Sequence, residues 1–286
     1  MGNIQQSFLV GLIGAGIQAS RTAAMHEREG AEQGLLYLYK LIDIEKLALG
    51  ADALPDLLTA AERMGFTGLN ITYPCKQSVI PLLTNLSDDA RALGAVNTVV
   101  LRDGKRIGHN TDWYGFAESF RRGLPDVKRD RVVQLGAGGA GAAVAHAALT
   151  LGVKLLTLFD LDANRSKRLA ADLAARFGEG RATPGADLGG AMAEADGLIH
   201  ATPTGMAKHP GLPLPAKFLR PGQWVAEIVY FPLETELLRT AKSIGCRTLN
   251  GGGMAVFQAA EAFRLFTGIA PDADRMLRHF ASMVTV

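Results

Sequence analysis

The sequence predicts an α/β protein with two domains, and three observations support this prediction. The chain has 286 residues, which exceeds the roughly 100 to 200 residues of an ordinary single domain. Short apolar runs alternate with helix-like segments along almost the whole chain, as in parallel sheets that are covered by helices. A predicted β-hairpin leading to Asn110-Thr111-Asp112 interrupts this alternation and divides it into two series.

The first series lies in the amino-terminal part of the chain. Four apolar runs are predicted as its strands: Phe8 to Ile13, Leu36 to Ile42, Gly68 to Thr72 and Ala95 to Leu101. The turn Gly14-Ala15-Gly16 and a helix over Arg21 to Glu27 follow the first strand. The segment Ile44 to Arg63 is predicted to be helical, with a break near Pro55. The turn Asp103-Gly104 then leads into the second strand of the hairpin, which closes the first domain.

The second series has the pattern of a doubly wound, nucleotide-binding sheet. Five runs are predicted as its strands: Arg131 to Leu135, Lys154 to Phe159, Gly197 to Ala201, Gln223 to Val229 and Arg247 to Leu249. Gly251-Gly252-Gly253 is predicted as a flexible junction, and Met254 to Gly268 and Asp272 to Met283 as amphipathic helices that return to the first domain. We therefore expect one domain over residues 1–112, completed by helices within residues 254–286, and a second over residues 113–253.

Composition and charge exclude several classes of protein. Hydrophobic residues make up 48% and charged residues 20%, which is typical of a globular protein and not of a disordered one. The net charge is +2 without a long basic run, so we expect no nucleic-acid partner. Two cysteines, Cys75 and Cys246, and a beginning unlike a secretory signal favour the cytoplasm. Leu135 to Val153 has the length of a membrane span, but its glycine and alanine content argues against one, so no membrane partner is expected.

A glycine-rich turn separates the first strand of the second series from a predicted helix. The run from Gly136 to Gly141 matches the G-x-G-x-x-G pattern of Rossmann dinucleotide sites. Glycine is needed because the turn is tight, the backbone approaches a pyrophosphate, and the helix packs closely on the strand. The residues predicted to bind the dinucleotide here are Gly136, Ala137, Gly138, Gly139 and Ala140. A motif that only packs the helix on the sheet is the alternative.

An acid ends the next predicted strand, about 20 residues after the glycine motif, where a Rossmann site binds the adenosine ribose. We expect Asp160 to accept hydrogen bonds from the ribose hydroxyls. A carboxylate there repels a 2′-phosphate, Leu161 offers no cation, and Asp162 adds negative charge. These residues predict NAD as the cofactor in preference to NADP.

The turn Gly14-Ala15-Gly16 resembles the same fingerprint. Alanine stands at position 19, and the first acid after the following strand, Asp43, comes at a loose spacing. A nucleotide at this turn is therefore an alternative to the site at Gly136.

Several segments resemble the shikimate dehydrogenase family. The strongest are Gly68-Leu69-Asn70-Ile71-Thr72-Tyr73-Pro74-Cys75-Lys76 and Asn110-Thr111-Asp112-Trp113-Tyr114-Gly115-Phe116. Further family-like segments are Gly94-Ala95-Val96-Asn97-Thr98, Ala201-Thr202-Pro203-Thr204-Gly205-Met206, Tyr230-Phe231-Pro232-Leu233-Glu234-Thr235 and Met254-Ala255-Val256-Phe257-Gln258-Ala259. The resemblance covers nearly the whole chain, and it implies an amino-terminal substrate-binding, catalytic domain and a Rossmann NAD-binding domain.

The resemblance also implies roles for individual residues. Lys76 and Asp112 would be the catalytic pair, and Ser20 and Thr22 would hold the substrate carboxylate. The ring of the substrate would be lined by Asn70, Thr72, Asn97, Tyr230 and Gln258. The cofactor would be lined further by Arg165, Thr202, Met206, Val229, Gly251 and Met254. The implied reaction is the reversible oxidation of the ring 3-hydroxyl of shikimate or quinate to the 3-dehydro ketone by NAD.

Two departures from the commonest family pattern bear on specificity. Thr22 stands where most members have serine, and this resembles the quinate-using branch, so quinate and shikimate are both candidates. Asp160-Leu161-Asp162 replaces the Asn-Arg-Thr of NADP-using members, which removes the guanidinium that would hold a 2′-phosphate. A matching arginine of NAD-using relatives is present as Arg165, whose alternative is a solvated helix residue.

Oxidation of an alcohol requires a group that takes the hydroxyl proton, and Lys76 or Asp112 is suited to this. We expect Lys76 to be the primary group, although strong coupling would make the titration a property of the pair. The histidine spacing suggests no metal site. Two other functions stay open: a dehydrogenase for another ring acid such as an aminated shikimate, and a non-catalytic NAD-binding regulator. The sequence is compatible with a monomer or a homodimer.

Overall fold

The computed structural model describes residues 6–284, and these fold into two compact units. Unit 1 contains the chain up to Thr111 and from Gln258 onward, and unit 2 contains Asp112–Phe257. Each unit holds one six-stranded sheet. The predicted α/β fold with two sheets is confirmed, whereas the roles and bounds given to the two domains stay predictions.

The elements follow one another in the expected alternation. The strands are β1 (Ser7–Gly14), β2 (Leu36–Asp43), β3 (Gly68–Ile71), β4 (Asn85–Leu86), β5 (Thr98–Arg102), β6 (Lys105–His109), β7 (Arg131–Leu135), β8 (Leu155–Phe159), β9 (Ala182–Pro184), β10 (Gly197–His200), β11 (Trp224–Glu227) and β12 (Arg247–Leu249). The helices are α1 (Thr22–Glu32), α2 (Leu54–Arg63), α3 (Cys75–Ser78), α4 (Asp88–Leu93), α5 (Asp112–Gly123), α6 (Gly139–Thr150), α7 (Ala163–Phe177), α8 (Leu188–Glu194), α9 (Glu236–Ile244), α10 (Gly252–Thr267) and α11 (Ala273–Val284).

The sheet of unit 1 has the strand order β2-β1-β3-β5-β6-β4. β1 pairs in parallel with both β2 and β3, while β5 is antiparallel to β3 and to β6. One face carries a core that includes Ile13, Leu58 and Leu69. Because β1, β2 and β3 are parallel, their carboxyl ends meet at one edge, and the loops after them lie side by side there.

The predicted helix from Ile44 to Arg63 is wrong in its first part. The carboxylate of Asp43 accepts hydrogen bonds from the backbone N–H groups of Glu45 and Lys46, at 3.2 and 3.4 Å, and this holds the chain in a turn. Helix α2 begins only at Leu54, and Pro55 lies in its first turn. Proline is favoured there because its missing N–H has no partner in a helix anyway, so Pro55 starts this helix and does not break it.

The part of α10 from Gln258 onward and helix α11 pack within unit 1. Phe266 of α10 is fully buried against Val10 and Val100 on the second face of the sheet. A Cβ on Gly68 would overlap the Phe266 ring, so glycine permits this close packing. Arg275 of α11 binds the buried Glu29 of α1 through two hydrogen bonds, of 2.9 and 2.7 Å. Such bidentate pairs are geometrically specific and hold α11 in place.

The sheet of unit 2 is parallel throughout, with the order β12-β11-β10-β7-β8-β9. The chain starts at the centre with β7, builds outward through β8 and β9, and then returns to β10 on the other side. This reversal creates a crevice at the carboxyl ends of β7 and β10, where doubly wound sheets bind ligands. Leu135 to Val153 contributes to β7 and α6, and within residues 6–284 we find no helix long and apolar enough to cross a membrane.

The predicted flexible junction at Gly251-Gly252-Gly253 is wrong. Gly251 and Gly252 are buried, and α10 already begins at Gly252. A Cβ on Gly251 would overlap the carbonyl oxygen of Ile228, and one on Gly253 would overlap the Ser119 side chain. These glycines therefore permit close packing of the chain inside unit 2, and they do not provide freedom of movement.

Candidate active site

Two sets of candidate residues lie at the carboxyl edges of the two sheets, and we describe each set within its own unit. In unit 1 the loop after β1 carries Ser20 and leads to Thr22, the first residue of α1. The chain after β3 carries Thr72 and then Lys76, which lies in α3. The β1 loop contacts the β3 end directly, because Ala15 N–H donates to the Tyr73 carbonyl oxygen at 2.9 Å.

The hydroxyl groups of Ser20 and Thr22 converge at the amino-terminal end of α1. Ser20 Oγ lies 3.2 Å from Thr22 Oγ1 and accepts from Thr22 N–H at 3.3 Å. The first turn of the helix, from Thr22 to Met25, is made of uncharged residues. Two hydroxyls at the positive end of a helix dipole are suited to an anion such as a carboxylate.

Asp43, at the end of β2, holds the loop that carries this hydroxyl pair. Its carboxylate accepts from Gly16 N–H at 3.0 Å, Ile17 N–H at 3.1 Å and Gln18 Nε2 at 3.0 Å, in addition to the two turn amides. The hydrogen bond from Gln18, together with those from the backbone, lowers the pKa of Asp43 below its ordinary value although desolvation opposes this. A carboxylate has about four lone-pair positions, and five donors occupy them. The alternative of a nucleotide at Gly14-Ala15-Gly16 thus lacks an available acid.

A buried polar cluster surrounds Asn70 at the end of β3. Asn70 Nδ2 donates to the Asn97 carbonyl oxygen at 3.2 Å and to Thr98 Oγ1 at 3.0 Å, and Oδ1 accepts from the Tyr39 hydroxyl at 2.8 Å. Asn97 Oδ1 accepts from Thr111 N–H at 2.7 Å. Both amide hydrogens of Asn70 are therefore used inside the unit, and a lone pair on Oδ1 is what this side chain can offer a ligand.

Sequence reasoning did not identify Tyr39 as part of this cluster. Tyr39 is 5% exposed, and burial raises the pKa of its hydroxyl well above the ordinary value, so it acts as a neutral donor. Because a buried tyrosine usually has a hydrogen-bond partner for its hydroxyl, a tyrosine within a predicted strand indicates that a polar partner lies nearby. The partner itself lies on another strand and leaves no local mark in the sequence.

The catalytic candidates occupy defined positions in the two units. Lys76 is half-buried in α3, and its carbonyl oxygen accepts from Val96 N–H at 2.9 Å. Its neighbour Cys75 is buried, and desolvation raises the pKa of the thiol, which disfavours a nucleophilic thiolate. Gln258 lies in α10 within unit 1. Asp112 begins α5 and Tyr230 is 43% exposed, and both belong to unit 2.

In unit 2 the glycine motif forms the turn between β7 and α6. Gly136 has φ of +100°, and a Cβ there would overlap the Ala201 carbonyl group of the neighbouring strand end. A Cβ on Gly141 would overlap the Gly136 carbonyl oxygen, so this glycine permits the close packing of helix and strand. Cβ atoms built on Gly138 and Gly139 would meet no heavy atom of the described residues within 4 Å. The turn therefore leaves an open cradle at the amino-terminal end of α6.

Asp160 stands beside this cradle at the end of β8. Its Oδ2 accepts from Ala137 N–H at 2.7 Å, and Oδ1 accepts from Asp162 N–H at 2.9 Å. Each oxygen thus has one partner within residues 6–284, and a further acceptor position remains on each. The contrast with Asp43 is clear, because five donors already surround that carboxylate. Backbone N–H groups of a helix end, an open glycine cradle and an available carboxylate fit a dinucleotide.

The residues after Asp160 determine the charge at this end of the site. Leu161 is fully exposed, and Asp162 caps α7 by accepting from Asn164 N–H at 2.9 Å. Arg165 is 57% exposed and lies 3.6 Å from the Asp162 carboxylate. Its guanidinium is therefore already close to an acid on the same turn, which reduces its attraction for another anion.

The other cofactor candidates all lie in unit 2, and most surround the carboxyl ends of β10 and β11. Thr202 is half-buried after β10, and Met206 is 43% exposed on the same loop. Val229 is buried, and its carbonyl oxygen accepts from Gly251 N–H at 3.2 Å. Met254 packs on the unit 2 core. The structure thus gathers these residues near the crevice of one sheet, and their contacts with a cofactor stay predictions.

Comparisons with known proteins agree with this geometry. Residues 12–99 match the family model described as the shikimate dehydrogenase substrate binding domain, and residues 251–279 match the shikimate 5'-dehydrogenase C-terminal domain. The chain is 60% identical over 281 residues to a shikimate dehydrogenase (NADP(+)) of Streptomyces avermitilis, covering 98% of this chain and 97% of the relative. It is 49% identical over 281 residues to a quinate/shikimate dehydrogenase (NAD(+)) of Corynebacterium efficiens. This match covers 97% of this chain and 99% of the relative.

A solved structure also resembles the chain closely. The quinate dehydrogenase from Corynebacterium glutamicum in complex with NAD superimposes with a TM-score of 0.92 and 47% sequence identity. The match covers 97% of this chain and 100% of that chain. Both NAD-linked and NADP-linked enzymes are thus among the similar proteins.

Proposed function

The chain belongs to the shikimate dehydrogenase family, and we propose that it is an NAD-linked dehydrogenase that reversibly oxidises the ring 3-hydroxyl of quinate or shikimate to a ketone. Members of this family are oxidoreductases that use a pyridine nucleotide and a small ring acid. The observation that most directly supports the proposal is the open cradle at Gly138 and Gly139 with the available carboxylate of Asp160 beside it. These features suit the two ends of an adenosine pyrophosphate.

The preference for NAD rests on charge. We place the adenosine ribose beside Asp160, so the carboxylates of Asp160 and Asp162 would face the 2′-phosphate of NADP, and the exposed Leu161 offers no charge there. Arg165 offsets one of these charges at most, since it lies 3.6 Å from Asp162. A 2′-phosphate would meet repulsion without a bidentate partner, whereas a 2′-hydroxyl can donate to Asp160.

The substrate carboxylate is assigned to Ser20 and Thr22. Their hydroxyls lie 3.2 Å apart at the amino-terminal end of α1, and Asp43 fixes the loop that carries them. The methyl group of Thr22 restricts the space at this end compared with a serine. Threonine at this position also resembles the quinate-using branch of the family, so quinate, which carries an extra hydroxyl on the carbon that bears the carboxylate, is a substrate candidate beside shikimate.

The reaction requires a group that accepts the hydroxyl proton, in addition to the nucleotide that takes the hydride. A pyridine nucleotide held by the glycine cradle and Asp160 would supply the hydride acceptor for the ring carbon. We assign removal of the hydroxyl proton to the amine of Lys76 and assign Asp112 as the second catalytic residue. Asn70 would accept from a ring hydroxyl through Oδ1, because both of its amide hydrogens are used elsewhere. The remaining contacts to the ring are assigned to Thr72, Asn97, Tyr230 and Gln258.

A spectrophotometric assay tests this function. Quinate, shikimate and an aminated shikimate analogue would each be incubated with NAD or NADP, and formation of the reduced nucleotide would be followed. We expect turnover with quinate or shikimate and a kcat/KM higher for NAD than for NADP. Turnover of the aminated acid alone would show that this acid, and not quinate or shikimate, is the substrate. Binding of NADH without turnover of any acid would instead support the regulatory alternative.

A further inference from the structure

A buried hydrogen-bond network lies directly beneath the loop that follows β10. His200, the last residue of β10, is fully buried and stands opposite Glu227 of β11 in the sheet register. Its Nδ1 lies 2.7 Å from Glu227 Oε1, and its Nε2 lies 2.5 Å from Thr202 Oγ1. The imidazole thus connects an acid in the interior with a hydroxyl at the crevice.

Glu227 is also bound on its other oxygen. Thr235 donates its hydroxyl to Glu227 Oε2, and Thr235 Oγ1 in turn accepts from Leu238 N–H at 3.3 Å as the cap of α9. The loop rests on this network, because a Cβ built on Gly205 would lie 3.4 Å from Glu227 Oε1 and 3.3 Å from Thr235 Cγ2. Gly205 has φ of +95°, a conformation that favours glycine. The turn therefore meets this pair at Thr202, which His200 contacts, and at Gly205, which lies against Glu227.

The network has one assignment of hydrogen positions when Glu227 is a carboxylate and His200 is a neutral imidazole, and this is the state on which the inference rests. Glu227 as a carboxylate only accepts, so the hydrogen between it and His200 belongs to Nδ1. The Nε2 of a neutral imidazole is then an acceptor, and it takes the hydroxyl hydrogen of Thr202. Thr204 N–H donates to the same hydroxyl oxygen at 3.3 Å. Thr202 is left with one lone pair that can face a ligand.

We propose that His200 is a positioning residue for the dinucleotide, which it serves by presenting the Thr202 hydroxyl to the crevice as a hydrogen-bond acceptor. This inference rests on the proposed function, because it takes Thr202 to lie against the cofactor. An accepting hydroxyl suits the amide N–H₂ group of a nicotinamide or a ribose hydroxyl. It does not suit a phosphate oxygen, so the network selects which part of the ligand lies here.

One substitution separates the two halves of the imidazole. In His200→Asn the amide group replaces Nδ1 and can still donate to Glu227, but it does not reach Thr202. We expect the Kd for NADH, measured by fluorescence titration, to rise about tenfold, as for loss of one well-placed hydrogen bond. The KM for the ring acid and the melting temperature should change little. His209→Asn, an exposed histidine on the same loop, is the matched control and should bind NADH as the wild type does.

A double-mutant cycle with Thr202→Val tests whether His200 acts through Thr202. The double variant should bind NADH no more weakly than Thr202→Val alone. Additive losses, or an unchanged Kd in His200→Asn, would overturn the inference. Because NADH binding is measured without a ring acid, a failure to turn over quinate or shikimate in the wild type would count against the proposed function alone.

The histidine tautomer gives a readout in the wild-type protein itself, with Thr202→Val used to assign the resonances. In ¹⁵N-histidine-labelled wild-type protein, the resonance pair of His200 should show a proton on Nδ1 and an unprotonated Nε2. Perturbation of this pair in Thr202→Val identifies it. A proton on Nε2 would donate to Thr202 and leave the Thr202 hydroxyl hydrogen free to donate to a ligand. This result would overturn the proposal.

Discussion

The hydroxyl of Tyr39 lies 2.8 Å from Oδ1 of Asn70, and this hydrogen bond joins β2 to the polar end of β3 across the intervening β1. It fixes the orientation of the Asn70 amide, since the two amide hydrogens then point to Asn97 and Thr98. The substrate-lining role assigned to Asn70 therefore depends on a residue that is itself buried away from solvent.

Tyr39→Phe should weaken substrate binding with little effect on the nucleotide. Loss of the hydroxyl leaves Asn70 Oδ1 without its buried donor, at a cost of about 1 kcal/mol in stability. We expect the KM for quinate or shikimate to rise several-fold while the Kd for NADH is unchanged. Steady-state kinetics and fluorescence titration would measure the two quantities. An unchanged KM would show that Asn70 does not contact the ring acid.

Lys76→Ala should abolish most of the turnover while the fold and nucleotide binding persist. Removal of a general base typically lowers the rate by about 10² to 10⁴. The Kd for NADH should stay unchanged, because the glycine cradle belongs to the other unit. Lys40→Ala, at an exposed lysine of β2, is the matched control. If Lys76→Ala turns over at the wild-type rate, Lys76 has no part in the proton transfer.

Two glycines of the same motif should respond differently to alanine. In Gly138→Ala the new methyl group enters open space, so the melting temperature should hold while the Kd for NADH rises more than tenfold from contact with the pyrophosphate. In Gly141→Ala the methyl group overlaps the Gly136 carbonyl oxygen, so the protein should lose stability. Thermal unfolding and NADH titration would distinguish the two effects. Normal NADH binding by Gly138→Ala would show that the pyrophosphate does not bind in this cradle.

The combined substitution Asp160→Asn, Leu161→Arg and Asp162→Thr should move the preference toward NADP. It removes two negative charges and supplies a guanidinium for the 2′-phosphate. Threonine at position 162 can still cap α7, so the helix start is preserved. The measurement is the ratio of kcat/KM for NADP to that for NAD, which should increase. A ratio equal to that of the wild type would mean that the ribose lies elsewhere.

Stability should fall in acid because of His26. This side chain is fully buried among the rings of Tyr37, Tyr39, Phe263 and Phe266, and its Nε2 has no hydrogen-bond partner within residues 6–284. Burial lowers the pKa of His26 from 6.5 to about 3. Between these pH values the unfolded chain binds a proton that the folded chain excludes. The contribution of His26 to the free energy of unfolding is therefore fully present above pH 6.5 and decreases as the pH falls toward 3.

The variant His26→Phe keeps a planar ring without a titratable nitrogen. Its melting temperature should depend less on pH than that of the wild type within this window, and the difference between the two proteins should grow as the pH falls. His209→Gln, at an exposed site, should follow the wild-type curve. Parallel curves for His26→Phe and wild type would mean that His26 takes up a proton in the folded state.

The parts of the fold that the sequence predicted are those determined by local physics. The apolar runs of β1, β2 and β7 were predicted because their strand-forming residue types are visible in the run itself, without knowledge of its partners. The glycine motif could also be predicted from the sequence, since the positive φ of Gly136 and the close packing of Gly141 each require glycine at that position. The roles of the predicted site residues stay predictions, because no ligand contact tests them.

The parts that were missed depend on distant partners. The sequence predicts helix directly after Asp43, whereas hydrogen bonds from backbone N–H groups to the Asp43 carboxylate hold this segment in a turn. The short strands β4 and β9 exist through pairing with β6 and β8 and carry no pattern of their own. The partners of Tyr39 and His200 likewise lie on neighbouring strands. Sequence spacing does not reveal such contacts.

The course of the chain through α10 has a consequence for biosynthesis. The first unit is completed by Phe266, whereas the second unit is continuous from Asp112 to Phe257. A ribosome therefore releases all the residues of the second unit before it has released those that cover Val10 and Val100. The amino-terminal segment, although made first, keeps one apolar face exposed to solvent or to a chaperone until then. A premature stop before α10 would leave that face permanently uncovered.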